Sequence, residues 1–137
     1  ALEIAKINAG MNNVNVQFIP DNILNPEYKW NRKYFDIIVS NPPYVVADDI
    51  KYMQPNVLNF EPSQALFADP ADPMLFYRKI FDFARIHLRP GGKIYFEMNE
   101  RHGSDIKNIA GSYIPGNIEI IKDINGKDRI FKFILAS

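Results

Sequence analysis

The sequence predicts an α/β domain with a mostly parallel sheet that ends in an antiparallel hairpin. Phe35–Val39 is a short apolar run rich in β-branched residues, typical of a strand buried on both faces. A helix start at Asp72-Pro73 and a second strand at Lys93–Met98 follow it. This strand–helix–strand order favours parallel pairing, whereas Asn125-Gly126 lies between two further strands and predicts a hairpin.

The first third of the chain is predicted to hold one helix and one strand. Ala1–Ala9 has apolar residues, Leu2 and Ile4 among them, that are available for a buried side. Val14–Ile19 alternates apolar and polar residues, which is typical of a strand. Pro20-Asp21-Asn22 then breaks the strand, so we expect Asp21 at its carboxyl end.

The second half of the chain shows one helical stripe and three strand patterns. After the helix start at Asp72-Pro73, apolar residues recur at helical spacing and predict a core-facing stripe: Phe76, Ile80, Phe83, Ala84 and Leu88. Pro90-Gly91-Gly92 should end this unit in a turn. The remaining predicted elements are the strand Lys93–Met98, a helix from Gly103 to about Ala110, and the hairpin strands Ile118–Ile124 and Arg129–Leu135.

Composition and charge narrow the possible partners. The 137 residues form one domain's worth of chain, and the net charge is zero, with 16 basic and 16 acidic residues. Zero net charge disfavours a general phosphate-tracking surface and hence a nucleic-acid substrate. No cysteine is present, which excludes disulfides and thiolate metal sites and fits a reducing cytoplasm. No apolar run approaches the ~20 residues of a membrane span, and His87 and His102 lack metal-ligand spacing.

The sequence Asn41-Pro42-Pro43-Tyr44 directly follows the Phe35–Val39 strand. Two prolines cannot continue a sheet ladder, so Asn41 should be presented at the carboxyl end of the strand, where open parallel sheets bind ligands. The carbonyls of the Asn41 side chain and the Pro42 backbone can accept both hydrogens of one planar –NH2 group. Tyr44 offers a flat face for an amide or a base. The arrangement suits methyl transfer to a poor nitrogen nucleophile, where positioning supplies most of the rate.

Asn41-Pro42-Pro43-Tyr44 resembles the signature of S-adenosylmethionine-dependent methyltransferases that act on amide or exocyclic amino nitrogens. This tetrapeptide does not choose among adenine, guanine and glutamine. Further segments, in order and spacing, resemble the HemK/PrmC family, which methylates a glutamine side-chain amide in peptide-chain release factors. These segments are Phe60–Phe67, Tyr77–Ile80, Leu88–Gly92, Phe96-Glu97 and Lys122–Arg129.

The resemblance implies roles for individual residues. Asn41 and Pro42 would be the catalytic residues that orient the amide nitrogen, and Pro43 and Tyr44 would complete the substrate site. Glu61 would support the methyl-acceptor site with Phe60 and Pro62, or it would cap a local turn. Asp21 would contact the adenine amino group of the cofactor, with Asn41 beside it, or it would form an Asx-turn or a helix N-cap.

The resemblance also implies that residues 1–137 are the carboxyl-terminal part of a Rossmann-like methyltransferase catalytic domain. Its sheet would run 3-2-1-4-5-7-6, with Val14–Ile19 as strand three and Phe35–Val39 as strand four. The first two strands and their glycine-rich cofactor turn do not occur in this chain, so the isolated chain is predicted to lack a complete cofactor site. We therefore also expect open sheet edges, with three possible outcomes: Val14–Ile19 docks into the vacated edge, Val14–Ile19 is disordered, or two chains pair through these edges. Pairing of two chains is the outcome that we favour.

Two other functions remain open from the sequence. Methylation of an exocyclic amino group in a nucleic acid is the enzymatic alternative, against which the zero net charge and the Phe60-Glu61-Pro62 run both argue. The absent glycine turn motivates the other alternative, a non-catalytic module that binds a partner.

Overall fold

The computed structural model describes residues 1–30, 34–43 and 71–137. The chain divides into two compact units, Ala1–Asn31 and Arg32–Ser137. The first unit contains helix α1, Leu2–Met11. No residue of α1 is buried, and Leu2, Ile4, Ile7 and Met11 are exposed. The predicted helix is confirmed, but its apolar side is not covered within the described residues.

The strand predicted at Val14–Ile19 is wrong, because these residues form no strand in the structure. Val14 donates its backbone N–H to the Ala9 carbonyl and so finishes α1, and Val14 and Val16 are about half exposed. Alternation of apolar and polar residues favours a strand only where a neighbouring strand supplies hydrogen bonds. The four strands of the described chain pair with one another and not with this segment.

The second unit is a four-stranded sheet with helices packed on one face. Its elements, in chain order, are β1 Phe35–Ser40, α2 Leu75–His87, β2 Leu88–Glu97, a 3-10 turn Glu100–His102, α3 Gly103–Tyr113, β3 Gly116–Lys122 and β4 Asp128–Leu135. The strand order is β1-β2-β4-β3. This order matches the predicted 4-5-7-6 part of the methyltransferase sheet.

The sheet is mixed, with one parallel and two antiparallel pairs among the described strands. β1 and β2 are parallel, whereas β2–β4 and β3–β4 are antiparallel. The terminal hairpin is as predicted. The sequence predicted a mostly parallel sheet, whereas β1–β2 is the one parallel pair among the described strands.

The core lies between the sheet and its two helices. Phe81 of α2 is fully buried, and its ring lies 5.4 Å from that of Phe96, 5.8 Å from that of Phe133 and 6.3 Å from that of Phe131. Ile94, Phe96 and Met98 are fully buried, so the predicted face of that strand is confirmed.

The stripe that α2 buries is shifted from the predicted one. Its buried members are Tyr77, Ile80, Phe81 and Ala84, whereas Phe76 and Phe83 are half-buried. Phe83 instead packs at the margin, 6.0 Å from the ring of Phe35. The helical period is therefore as predicted, and tertiary packing selects which aromatic rings point inward.

The start predicted for α2 is also wrong. The helix begins at Leu75 with Met74 at the N-cap, so Asp72 is not the cap and Pro73 is not the first helical residue. The Asp72 carboxylate is instead ion-paired with the Arg78 guanidinium, and the Asp72 backbone carbonyl accepts the Leu75 N–H at 3.1 Å. A carboxylate held by an arginine one turn inside the helix is not available to cap it.

Pro90-Gly91-Gly92 forms a bulge inside β2 rather than a terminating turn. Phe35 pairs with Leu88 and Ile37 pairs with Lys93, so β2 is much longer than β1 between these points. Gly91 accommodates the bulge with φ of 73°, a conformation that favours glycine.

Candidate active site

Asn41 lies immediately after β1, as the sequence predicts. The strand ends at Ser40, Asn41 is exposed, Pro42 is buried and Pro43 is half-buried. Because proline cannot donate to a ladder, the chain leaves the sheet here. A buried Pro42 ring anchors the turn, while the neighbouring Asn41 side chain remains accessible to a substrate.

The carboxyl ends of β2 and β3 and the start of β4 lie at the same end of the sheet as Asn41. Ser40 pairs with Phe96 in the parallel register, so Asn41 and Glu97 leave their strands side by side. Glu97 in turn pairs with Ile130, and Lys122 pairs with Asp128. We call this end the carboxyl edge and define it by Asn41–Pro43, Met98–His102 and the hairpin loop Asp123–Lys127. Ligands of open α/β sheets bind outside such an edge.

The arrangement at Asn41 and Pro42 can select a planar –NH2 group. Each residue offers a carbonyl oxygen, and Pro42 has no backbone N–H that would compete for the same ligand. Within residues 1–30, 34–43 and 71–137, no group of three or more His, Cys, Asp or Glu side chains could hold a metal ion. The acceptors that Asn41 and Pro42 themselves offer are neutral.

Asp21 organises the loop that contains it. One carboxylate oxygen accepts the backbone N–H groups of Asn22 and Glu27, each at 2.9 Å, and the other accepts the Trp30 indole N–H at 3.2 Å. These bonds, led by the one from Glu27, lower the pKa of Asp21 against the opposing effect of desolvation. Asp21 thus forms neither the predicted Asx-turn nor a helix N-cap, because the Asx-turn of this loop belongs to Asn22, whose side-chain oxygen accepts the Leu24 N–H at 3.0 Å. The cofactor contact stays a prediction. Asp21 belongs to the first unit and Asn41 to the second.

Two predicted substrate residues, Tyr44 and Glu61, lie outside the described residues. Of the six site residues predicted from the sequence, the structure therefore places Asn41, Pro42 and Pro43 together at one turn. It places Asp21 in a separate loop. Their roles in catalysis and binding remain predictions that the variants below address.

The hairpin loop contains a carboxylate, Asp123, to which the sequence analysis assigned no role. The side chain of Asp123 accepts the backbone N–H groups of Asn125 at 2.8 Å and Lys127 at 3.0 Å. Its second oxygen faces Nε and Nη2 of Arg129, each at 3.4 Å. The available signal was an aspartate two residues before Asn125-Gly126, a spacing typical of an Asx-turn.

Curated sequence relatives share one description. The chain is 44% identical over 132 residues to the release factor glutamine methyltransferase of Flavobacterium psychrophilum, covering 96% of this chain and 46% of that protein. It is 49% identical over 96 residues to the protein of the same name from Bacteroides thetaiotaomicron, covering 70% of this chain and 34% of that protein. Over the matched residues, the chain is thus similar in sequence to these release factor glutamine methyltransferases.

The chain spans between about a third and a half of the length of the release factor glutamine methyltransferases it matches. A scan against protein-family models finds no match. Among solved structures, a methyltransferase from Pyrococcus furiosus has a TM-score of 0.65 at 22% identity, covering 98% of this chain and 57% of that chain. At this identity the likeness establishes the fold alone, a partial Rossmann-like methyltransferase fold. In the part of the chain that the structure describes, no helix is long and apolar enough to cross a membrane.

Proposed function

We propose that the whole protein transfers a methyl group from S-adenosylmethionine to a glutamine side-chain amide of a peptide-chain release factor. The supporting observation is the position of Asn41-Pro42-Pro43, which ends β1 at the carboxyl edge with Asn41 exposed and Pro42 buried. The names of the sequence relatives support the same substrate class.

Asn41 and Pro42 are assigned the task of orienting the glutamine nitrogen. The side-chain carbonyl of Asn41 and the backbone carbonyl of Pro42 each accept one N–H of the amide, so that the nitrogen's remaining direction points at the methyl group. Tyr44 is assigned the task of packing on the plane of the amide.

When bound, S-adenosylmethionine would supply an activated methyl group to the amide nitrogen that Asn41 and Pro42 hold. The new N–C bond would form as the S–C bond breaks, with the bonding pair left on sulfur as a neutral thioether. The extra proton on the amide nitrogen passes to water after transfer. No strong base is required, in keeping with the neutral acceptors Asn41 and Pro42. Asp21 is assigned a contact with the adenine amino group of the cofactor.

The deciding experiment is single-turnover methylation by the whole protein with saturating cofactor. The acceptors are a recombinant bacterial release factor, the same factor with its acceptor glutamine replaced by alanine, and DNA or RNA duplexes. We expect methylation of the first acceptor only. Methylation of nucleic acid instead of the release factor would overturn the proposed substrate.

The assigned role of Asn41 has a separate test. Asn41→Ala should slow the single-turnover rate about a hundredfold, because a preorganised polar contact of this type is worth ~3 kcal/mol in the transition state. Cofactor binding, measured by calorimetry, should change much less. A variant rate within about threefold of the wild type would contradict the role, because threefold corresponds to under ~1 kcal/mol.

A further inference from the structure

Asp123 lies in the hairpin loop, yet its contacts reach the segment beside Asn41. Its carboxylate holds the backbone of Lys127 through one oxygen and the guanidinium of Arg129 through the other. The Asp123 backbone adds two bonds: its N–H donates to the Lys127 carbonyl at 2.8 Å and its carbonyl accepts the Gly126 N–H at 2.9 Å. The side chain is only 17% exposed. Asp123 therefore makes several of the bonds that hold the loop, and the Lys122 ammonium group adds one to the Gly126 carbonyl at 3.2 Å.

Lys127 and Arg129, the two residues that Asp123 holds, also contact Met98–His102, the segment that follows β2. The backbone carbonyl of Arg129 accepts the Met98 N–H at 2.9 Å, and the ammonium group of Lys127 lies 3.2 Å from the Glu100 carboxylate. Met98 is fully buried, so its backbone position is also coupled to the core. Met98–His102 is thus held at its start by Arg129 and at its middle by Lys127.

Met98–His102 and Asn41–Pro43 leave adjacent parallel strands at the same level, because the last register pair is Ser40 with Phe96. A protein substrate that presents an amide to Asn41 has to lie across this edge. Any displacement of Met98–His102 changes the surface next to the reacting nitrogen. A misplacement of about 1 Å can cost about a hundredfold in rate even when it originates away from the chemistry.

We propose that Asp123 is a positioning residue for the methyl-acceptor site, acting through Lys127 and Arg129 on Met98–His102. The inference rests on the proposed function, since it concerns how the protein substrate is seated at Asn41. Asp123 itself does not touch the substrate.

Asp128 provides a matched control in the same hairpin. Its carboxylate is paired with the ammonium group of Lys122 at 2.7 Å. Asp123→Asn and Asp128→Asn remove one negative charge each from neighbouring positions. Only the first weakens the bonds that lead to Met98–His102, because an amide cannot accept from two backbone N–H groups and also pair with a guanidinium as strongly as a carboxylate does.

The test compares these two variants in the whole protein. We expect Asp123→Asn to lower kcat/KM for the release factor about 10- to 100-fold, with the cofactor Kd within about twofold of the wild type. Asp128→Asn should leave both constants within about twofold. In hydrogen exchange the Met98 amide should exchange faster in Asp123→Asn and at the wild-type rate in Asp128→Asn.

The possible outcomes separate the two proposals. Wild-type protein that does not methylate the release factor refutes the proposed function and, with it, this role. Active wild-type protein with equal losses in the two variants overturns the role of Asp123 alone, as does a proportionate rise in the cofactor Kd. If Asp123→Asn fails to fold, Lys127→Ala breaks only the Glu100 contact and should still lower kcat/KM for the release factor while the cofactor Kd is retained. Unchanged kcat/KM in that variant would overturn the inference.

Discussion

Gly116 and Gly111 allow a test of the core, because alanine has opposite consequences at the two positions. Gly116 begins β3 and pairs with Leu135 of β4. A Cβ atom there would clash with Cζ of Phe133 and with the backbone oxygen of Ile134. Phe133 is 1% exposed, and its ring lies 5.8 Å from that of Phe81. Neither neighbour can move without disturbing the core or the β3–β4 ladder.

The expected cost follows from these contacts. Overpacking against a buried side chain costs about 1–3 kcal/mol, and a clash with both the Phe133 ring and a backbone carbonyl belongs at the upper end of this range. Replacing a strand glycine by alanine recovers about 0.5–1 kcal/mol of backbone entropy. Gly116→Ala should therefore lower the free energy of unfolding by about 2 kcal/mol.

Gly111 is the matched control on the surface of α3. A Cβ atom there meets nothing within 4 Å, and the residue is exposed. Gly111→Ala should raise the free energy of unfolding by about 1 kcal/mol, because alanine is the better helix former. Urea unfolding of both variants, followed by far-ultraviolet circular dichroism, should give midpoints on opposite sides of the wild-type value. A Gly116→Ala midpoint at or above the wild-type value would refute the packing of β3 against Phe133.

Three further predictions concern the pH response, the open edge and the substrate site. Because the pKa of Asp21 is lowered in the folded chain, the stabilisation that this carboxylate provides is complete above the ordinary pKa of 3.8. It is lost as the pH falls through the lower folded-state pKa. The fluorescence of Trp30, the only tryptophan, should therefore titrate below pH 3.8 in the wild type and not in Asp21→Asn. A midpoint at or above 3.8 would contradict the hydrogen bonds drawn to this carboxylate. Within the described chain, β1 has no strand partner on its outer edge, and Val39 is 74% exposed. The 137-residue chain should therefore sediment as a dimer at micromolar concentration, and Val39→Lys should reduce the dimer fraction. A monomeric wild type would contradict the edge-pairing hypothesis. In single-turnover methylation Tyr44→Phe should be mild and Tyr44→Ala severe if the ring stacks on the amide, whereas comparable losses would indicate that the hydroxyl donates to the substrate.

Local sequence was sufficient to predict where β1 and the terminal hairpin lie in the chain. The apolar run at Phe35–Val39 and the double proline after Asn41 predicted both the strand and its end, because proline stops a ladder in any context. The predicted burial on both faces is wrong, because Ile37 and Val39 are exposed in the described chain. The hairpin at Asn125-Gly126 was predicted for a similar reason. Its loop is longer than a two-residue turn, because the Asp123 side chain closes it from Asp123 to Lys127.

Val14–Ile19 shows where a local pattern is insufficient. Its alternation is as regular as that of many strands, but sheet hydrogen bonds come from another segment, and no described strand pairs with this one. Likewise, helical spacing in α2 predicted a buried stripe, while contact with the sheet decided that Phe81 rather than Phe83 faces the core.

The sequence by itself determined the fold class, the strand at β1 and the Asn41-Pro42-Pro43 turn. Only the tertiary structure decided which segments meet Asn41 at the carboxyl edge. Asp123 is 82 residues away from Asn41 in the chain, and its link to the site passes through the carbonyl of Arg129 and the N–H of Met98. This link exists because β4 pairs with β2 in the antiparallel sense while β2 pairs with β1 in the parallel sense. No spacing within a single segment of the sequence encodes that arrangement.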